Sequence, residues 1–416
     1  MSQEDAGSFG ALSIRNYRML FVGTLASFTG FFISTVVQGV VAFQLAGSNT
    51  AVGGVIFGQG VGMFLSGPMG GAVADRLPKR RVLAICQSVS ALCFGTIGLL
   101  YSLEMLEIFH LVLNGFVVGC AFGFIGPARQ ALVVDLVPSK LMGNAMALTT
   151  VANTMSRVSG PLLAALFLAD DRAGPAAAYS AMCLLYLVSA ALLLFLPRSI
   201  VRSNVGETHV LEDLTAGLRY TWHHVRLRHL LIFFVGVMLI GFPHVTLIPG
   251  LLENQLGHPA EELTKFAFVS AVGALLASLT VARYADSEHA TRIYSWLAIG
   301  FGVSLVLLAG MSEFALAMTS MLVVGATSGG FHALNGAVIA RETDPEYMGR
   351  VMSISMLSFS GFSLSALPLG ILADLFGERM VLFGMGIGVI ALATLMAAIV
   401  ARDAVAHPSE VAQAKP

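Results

Sequence analysis

The feature that most constrains this chain is a series of twelve apolar runs, each about as long as a helix needs to cross a bilayer. They occupy residues 20–43, 52–74, 82–101, 108–126, 142–168 and 176–196, then 230–252, 266–281, 293–311, 314–340, 351–372 and 380–401. About 20 apolar residues cross the hydrocarbon core, and backbone amides in lipid must pair within the segment, which selects helix. With 56% hydrophobic and 11% charged residues, against about a quarter charged in soluble domains, the chain has too much apolar surface for a water-soluble core. The expected fold is therefore an all-α integral membrane protein of twelve transmembrane helices in two pseudo-symmetric six-helix bundles. The expected organisation is a cytoplasmic segment at 1–19, a bundle at 20–196, a linker at 197–229, a second bundle at 230–401 and a cytoplasmic tail at 402–416.

Charge placement predicts the orientation. If the N-terminus is cytoplasmic, 19 of the 23 Lys and Arg fall in cytoplasmic segments, and the outer loops hold only Arg172, Lys265 and Arg379. Lys and Arg are retained inside during insertion, so both termini are expected in the cytoplasm. The polar residues 1–17 show no cleavable signal pattern, so the first span is expected to insert and stay. A net charge of -1 argues against nucleic acid as a partner. Cys86, Cys93, Cys120 and Cys183 all fall inside apolar runs and are expected to be free. Neither a metal nor a cofactor is expected. Gly58-Gln59-Gly60-Val61-Gly62 follows no strand and is read as close helix packing, not as a nucleotide loop.

Several motifs interrupt the apolar pattern. Gly67-Pro68-Met69-Gly70-Gly71-Ala72-Val73-Ala74-Asp75-Arg76-Leu77-Pro78-Lys79-Arg80-Arg81 joins spans two and three by a tight basic turn. Pro138-Ser139-Lys140-Leu141-Met142-Gly143 precedes span five, and Pro345-Glu346-Tyr347-Met348-Gly349 precedes span eleven about 206 residues on. Pro161-Leu162 and Pro368-Leu369 repeat at nearly the same offset, as a duplicated six-helix unit requires. Within the linker, Leu211, Leu214 and Leu218 line one face of a short helix expected to lie on the membrane surface, with lipid as its partner. His223-His224, beside Arg226 and Arg228, is read as a solvated basic flank.

The basic turn resembles the signature between helices two and three of the major facilitator superfamily, with Pro78 where the family usually has Gly. The resemblance covers nearly the whole chain and points to the bacterial branch of enterobactin exporters and macrolide efflux proteins. It also rests on Arg15-Asn16-Tyr17-Arg18-Met19-Leu20-Phe21, on the stretch from Pro127 to Pro138, on Arg157-Val158-Ser159-Gly160-Pro161 and on Gly217-Leu218-Arg219-Tyr220. It implies a multi-pass protein of the bacterial inner membrane with its substrate site between the halves. It further implies that Asp75, preceded by Gly71, meets the start of span eleven near Gly349. Arg76, Arg80, Arg129 and Asp135 are candidates to complete that gating network. A carboxylate at a helix N-terminus gains about 0.3–1 kcal/mol when exposed and about 2 when partly buried, enough to bias one access state. Gly160-Pro161 matches the core of a motif associated with antiporting members, which points to export.

Arg157 is the most informative single residue. It sits mid-span on a polar stripe with Thr149, Thr150, Asn153, Ser156 and Gly160, while none of the 24 Asp and Glu lies mid-span. A mid-bilayer Arg costs about 2.5–3.5 kcal/mol on insertion scales, so it should face the interior and find a partner there. It is read either as a contact for an anionic or polyphenolic part of a substrate or as a structural tie. The resemblance places spans one, four, seven and ten around the cavity, which makes Gln38, His244, His332 and Asn335 further candidates beside Asn153. If protons drive transport, His244 and His332 are candidate carriers, with Asp75 and Asp135 as alternatives. The expected function is a secondary transporter exporting amphipathic small molecules such as siderophores or macrolides. The alternatives are a lysophospholipid or other lipid translocator and, from another class, a membrane-embedded enzyme or transporter-like sensor. No catalytic residue is assigned, because no nucleophile has a convincing base and orienter.

Overall fold

The computed structural model describes residues 10–169, 174–197, 210–285, 287, 289–344 and 346–406; side chains at 71, 72, 74, 75, 210–214, 349, 353, 356, 357, 359 and 400–406 lie outside that description. Every regular element among the described residues is helical. The long helices are α1 (Arg15–Ala46), α2 (Asn49–Arg76), α3 (Lys79–Ser102), α4 (Ile108–Leu136), α5 (Met142–Leu168) and α6 (Gly174–Leu194). After α7 (Val210–His223) come α8 (Val225–Ile240), the single turn α9 (Ile248–Gly250), α10 (Leu263–Ala282), α11 (Ala290–Gly310), α12 (Phe314–Arg341), α13 (Met348–Phe376) and α14 (Glu378–Ala406).

Among the described residues, ten stretches of these helices are long and apolar enough to cross a membrane. The expected spans outside that set are α5 and α13. Both have the length, at 27 and 29 residues; α5 carries the polar stripe around Arg157, and of α13 the fully described stretch is the shorter apolar segment Ser360–Phe376. The seventh span is not one continuous helix. At Gly241-Phe242-Pro243 the α-helix gives way to a 3-10 turn over Phe242–Thr246, and a π turn follows over Leu251–Gln255. Pro243 cannot donate a backbone bond and its ring crowds the preceding turn, which is sufficient cause for the break.

The chain divides into two compact units whose borders differ from the halves of the sequence. The first comprises Met1–Asp213, Thr246–Phe268 and Ser363–Asp374; the second comprises Leu214–Val245, Val269–Phe362 and Leu375–Pro416. In the first, α2 and α4 pack backbone to backbone. A methyl group on Gly58, Gly62 or Gly70 would strike α4 at Val112, Phe116 or Gly123, and one on Gly115, Gly119 or Gly123 would strike α2 at Val55, Gln59 or Ser66. Lipid offers no hydrophobic drive for two helices to associate, so this close approach and the dispersion it brings hold the pair. The α1–α5 contact is polar: Tyr17 donates to the Ala145 carbonyl at 2.7 Å, and Thr29 and Ser156 share a hydrogen bond of 3.1 Å.

The second unit repeats the device. Methyls on Gly325 and Gly329 of α12 would collide with Ser270 and Ala274 of α10, as those of α4 would with α2. Its centre is aromatic, with Tyr294 stacked on Phe331 at 4.4 Å and Phe233 edge-on to both. The linker helix α7 docks through Tyr220, whose ring stacks on Tyr347 at 4.1 Å. The Tyr220 hydroxyl donates to the Asp344 carboxylate at 3.0 Å and accepts from the Asp344 amide at 3.1 Å. Leu218 and Trp222, four residues apart, stay exposed. Of the leucines expected to form the apolar face, Leu211 and Leu214 lie outside the described side chains.

Candidate substrate site

In the first unit, α5 turns two faces to different surroundings. One is fixed against α1: Ser156 bonds Thr29, and a methyl on Gly160 would meet Phe32 at 2.5 Å. Phe32 stands edge-on to Phe31, which stacks on Phe122 of α4 at 4.6 Å. Pro161 is buried within the helix next to this contact. Along the polar stripe, Thr149, Thr150 and Thr154 spend their hydroxyl donors on carbonyls one turn back, at 3.0–3.2 Å. Asn153 and Arg157, one turn apart on the same face, make no such bond. Arg157 is half-buried, and among the described residues neither it nor Asn153 has a hydrogen-bond or ion-pair partner. A guanidinium with five unclaimed donors beside an unclaimed amide is an arrangement suited to receiving an anionic or multiply accepting ligand.

Two further polar groups in this unit are left unpaired. Gln38 of α1 is buried without a partner among the described residues. Asn114 of α4 is 5% exposed, and neither its oxygen nor its nitrogen is paired. That complete lack of partners makes Asn114 a further candidate that the sequence analysis did not single out.

The candidates in the second unit are engaged. Asn335 accepts from the Tyr294 hydroxyl at 3.0 Å and donates to Ser355 at 2.9 Å, tying α11, α12 and α13 together. His244 is buried in the 3-10 break, with Nδ1 at 2.9 Å from the Gly241 carbonyl and its ring edge-on to Phe301. His332 lies against the Phe234 ring at 6.4 Å.

The proposed gating residues separate into distinct contacts. Lys79 pairs with Asp135 at 2.7 Å, joining the start of α3 to the end of α4. Arg80 instead donates to the carbonyls of Leu194, at 2.6 Å, and Leu196, where α6 ends and carbonyls lack helical partners. Arg76 is exposed. Arg129 is buried deep in the helix packing, donating to Ser27 at 3.0 Å with its guanidinium 4.4 Å over the Phe28 ring. It borders a small cavity of about 10 Å³, about the size of one water, also lined by Gln87, Thr24 and Ser189. Gly71 and Asp75 lie outside the described side chains. A carboxylate that sequence reasoning missed, Asp374, holds the start of α2, accepting from the Asn49 amide at 2.8 Å and the Thr50 amide at 2.8 Å.

Comparison with known proteins accounts for this architecture. The chain is 25% identical over 325 residues to the staphyloferrin A transporter of Staphylococcus aureus (strain NCTC 8325 / PS 47), covering 77% of this chain and 80% of that protein. It is 22% identical over 331 residues to the MFS-type transporter YfiS of Bacillus subtilis (strain 168), covering 74% and 75%. Its fold superposes on a crystal structure of the nucleoside transporter NupG with a TM-score of 0.74 at 15% identity, covering 92% of this chain and 99% of that one. The sequence profile of the Major Facilitator Superfamily matches residues 19–363. With that match over most of its length and its many apolar helices, the chain belongs to the Major Facilitator Superfamily and is a multi-pass membrane transporter, not an enzyme.

Proposed function

We propose that this secondary transporter exports an amphipathic small molecule bearing an anionic group, by alternating access, and that Arg157 with Asn153 receives that group. The observation that carries this reading is Arg157 itself, a charge placed mid-helix in an apolar chain and left without a partner among the described residues. An unpaired buried charge is costly, so such a group is retained where something else completes it. Phe31, Phe32 and Phe122 supply an apolar wall next to the α5 face, which suits a ligand with both characters. The relative named a staphyloferrin A transporter supports a siderophore as the substrate class. The Gly160-Pro161 element in α5, which resembles the core of a motif of antiporting members, supports export rather than uptake, and the repeated Pro161 and Pro368 support the two-bundle division. The Lys and Arg distribution supports both termini being cytoplasmic, and the bacterial relatives support the bacterial inner membrane.

The test is equilibrium binding to purified protein, comparing carboxylate-bearing siderophores with cationic macrolides and with lysophospholipid. Hydrogen bonds to a charged group contribute about 1.5–3 kcal/mol, so Arg157→Ala should weaken the anionic ligand by roughly 10- to 100-fold. Arg157→Lys, which keeps the charge and loses the fork of donors, should retain part of the affinity. Cationic ligands should be indifferent to both substitutions. Equal losses for anionic and cationic ligands would show that Arg157 is a structural tie. Binding of lysophospholipid alone would replace export of a soluble compound with lipid translocation.

A further inference from the structure

The carboxylate of Asp374 lies where α13 ends, and it gathers three donors from the first turn of α2: the Asn49 amide at 2.8 Å, the Asn49 side-chain amide at 3.0 Å and the Thr50 amide at 2.8 Å. A helix leaves its first amides without internal partners and carries partial positive charge there, so an acid at that point meets both needs. The facing surfaces below are stripped of side chains. A methyl on Gly53 would lie 2.6 Å from the Ala366 carbonyl, one on Gly60 would strike Ser363, and one on Gly370 would lie 2.5 Å from the Asn49 carbonyl. Residues 363–374 thus lie flush along the first half of α2, and Asp374 is the polar fastening at the end of that seam. The sequence repeats the fastening: Gly71-Ala72-Val73-Ala74-Asp75 closes α2 as Gly370-Ile371-Leu372-Ala373-Asp374 closes α13.

We propose that Asp374 is a reversible latch of the transport cycle, holding the end of α13 on the start of α2 in one access state and releasing it in the other. Two features make the contact suited to opening. Asp374 is itself exposed to solvent, so water replaces its three donors without stranding a buried charge. At Gly53, Gly60 and Gly370 the seam below it brings backbone against backbone or a small side chain, contacts that part without extracting a bulky group. By charge distribution this is the outer end of α2, so the latch closes the route to the outside. The inference rests on the transporter reading, because only a protein that alternates between access states needs the contact to break.

The experiment reads opening without any substrate. Ser363, 6% exposed and facing Gly60, is replaced in a background free of the four native cysteines (Ser363→Cys), and its labelling by a membrane-impermeant maleimide is followed in proteoliposomes. Asp374→Asn should raise the labelling rate about twofold to fivefold, the range expected for losing a carboxylate from an exposed helix start. Asp374→Glu should stay near the parent rate. Asn49→Pro serves if Asp374→Asn fails to fold: proline is accepted at the first helical position and Ser48 before it is extended, yet both Asn49 donors are lost. It should raise labelling as Asp374→Asn does. Labelling that stays at the parent rate in both Asp374→Asn and Asn49→Pro overturns the latch. A parent that labels as expected but carries no ligand would instead overturn the transporter reading.

Discussion

At the scale of single residues, the charged groups near the helix ends and the charge within α5 obey different rules. Lys79 and Asp135, with side chains 12% and 23% exposed, form an ion pair partly withdrawn from water. Removing one partner strands the other, whereas exchanging them preserves the contact. Lys79→Ala and Asp135→Ala should each lower thermal stability by about 1 kcal/mol or more, and the double exchange Lys79→Asp with Asp135→Lys should recover most of it in a thermal melt. Arg157 should show the opposite pattern, because it has no partner to strand: Arg157→Ala should leave the melt unchanged or raise it while ligand binding is lost. The sequence made Arg157 legible, since a mid-span cation with no mid-span acid anywhere stands out against an apolar chain. It did not reveal Asp374, because an acid at the end of an apolar run also reads as a residue merely reaching water, and its donors lie 325 residues away. Lys79 was passed over in favour of Arg80 for the same reason: four basic residues in six positions look alike until Asp135 and the end of α6 sort them.

At the scale of elements, twelve helices could be counted from run length alone, but their different tasks could not. The runs that became α5 and α13 look like the others in length, yet α5 carries serine, threonine, asparagine and an arginine, and α13 carries a series of serines. Their polarity is spent on neighbours: Ser156 on α1, Ser355 on Asn335. The interruption at Gly241-Phe242-Pro243 was hidden because it lies inside an unbroken apolar run, and hydropathy does not register the loss of one backbone donor. Glycine spacing was more legible, since Gly115, Gly119 and Gly123 fall at every fourth position. It predicts a sharp contrast. Gly119→Val, whose added carbons would lie on the Gln59 backbone, should destabilise the protein by about 1–3 kcal/mol or abolish expression. Gly384→Ala in α14, where a methyl meets nothing within 4 Å, should be neutral or slightly stabilising, because alanine favours helix over glycine by about 1 kcal/mol. Thermal melts in detergent compare the two directly.

At the scale of the whole molecule, the charge distribution and the helix count together state a topology. Twelve crossings return the chain to the side on which it began, so cysteines introduced near position 12 and near position 402 should both resist an impermeant reagent in right-side-out vesicles and react in inverted ones. The duplicated motifs before α5 and α13 and the matching glycine contacts of α4 on α2 and of α12 on α10 argue that one six-helix unit was used twice, with the polar functions then distributed unequally. The first unit holds the unpaired Arg157, Asn153, Gln38 and Asn114, whereas the corresponding polar groups of the second, Asn335 and His244, are occupied by their own surroundings. The proposed recognition of the substrate therefore belongs to the first unit. The most direct test of this account is flux of a carboxylate-bearing siderophore into inside-out proteoliposomes containing the purified protein, with Arg157→Ala measured alongside. The account predicts accumulation by the parent, in the direction equivalent to export, and a loss of roughly 10-fold or more in the variant. Equal accumulation by parent and variant, or flux by neither across a broad panel of anionic and cationic ligands, would contradict it.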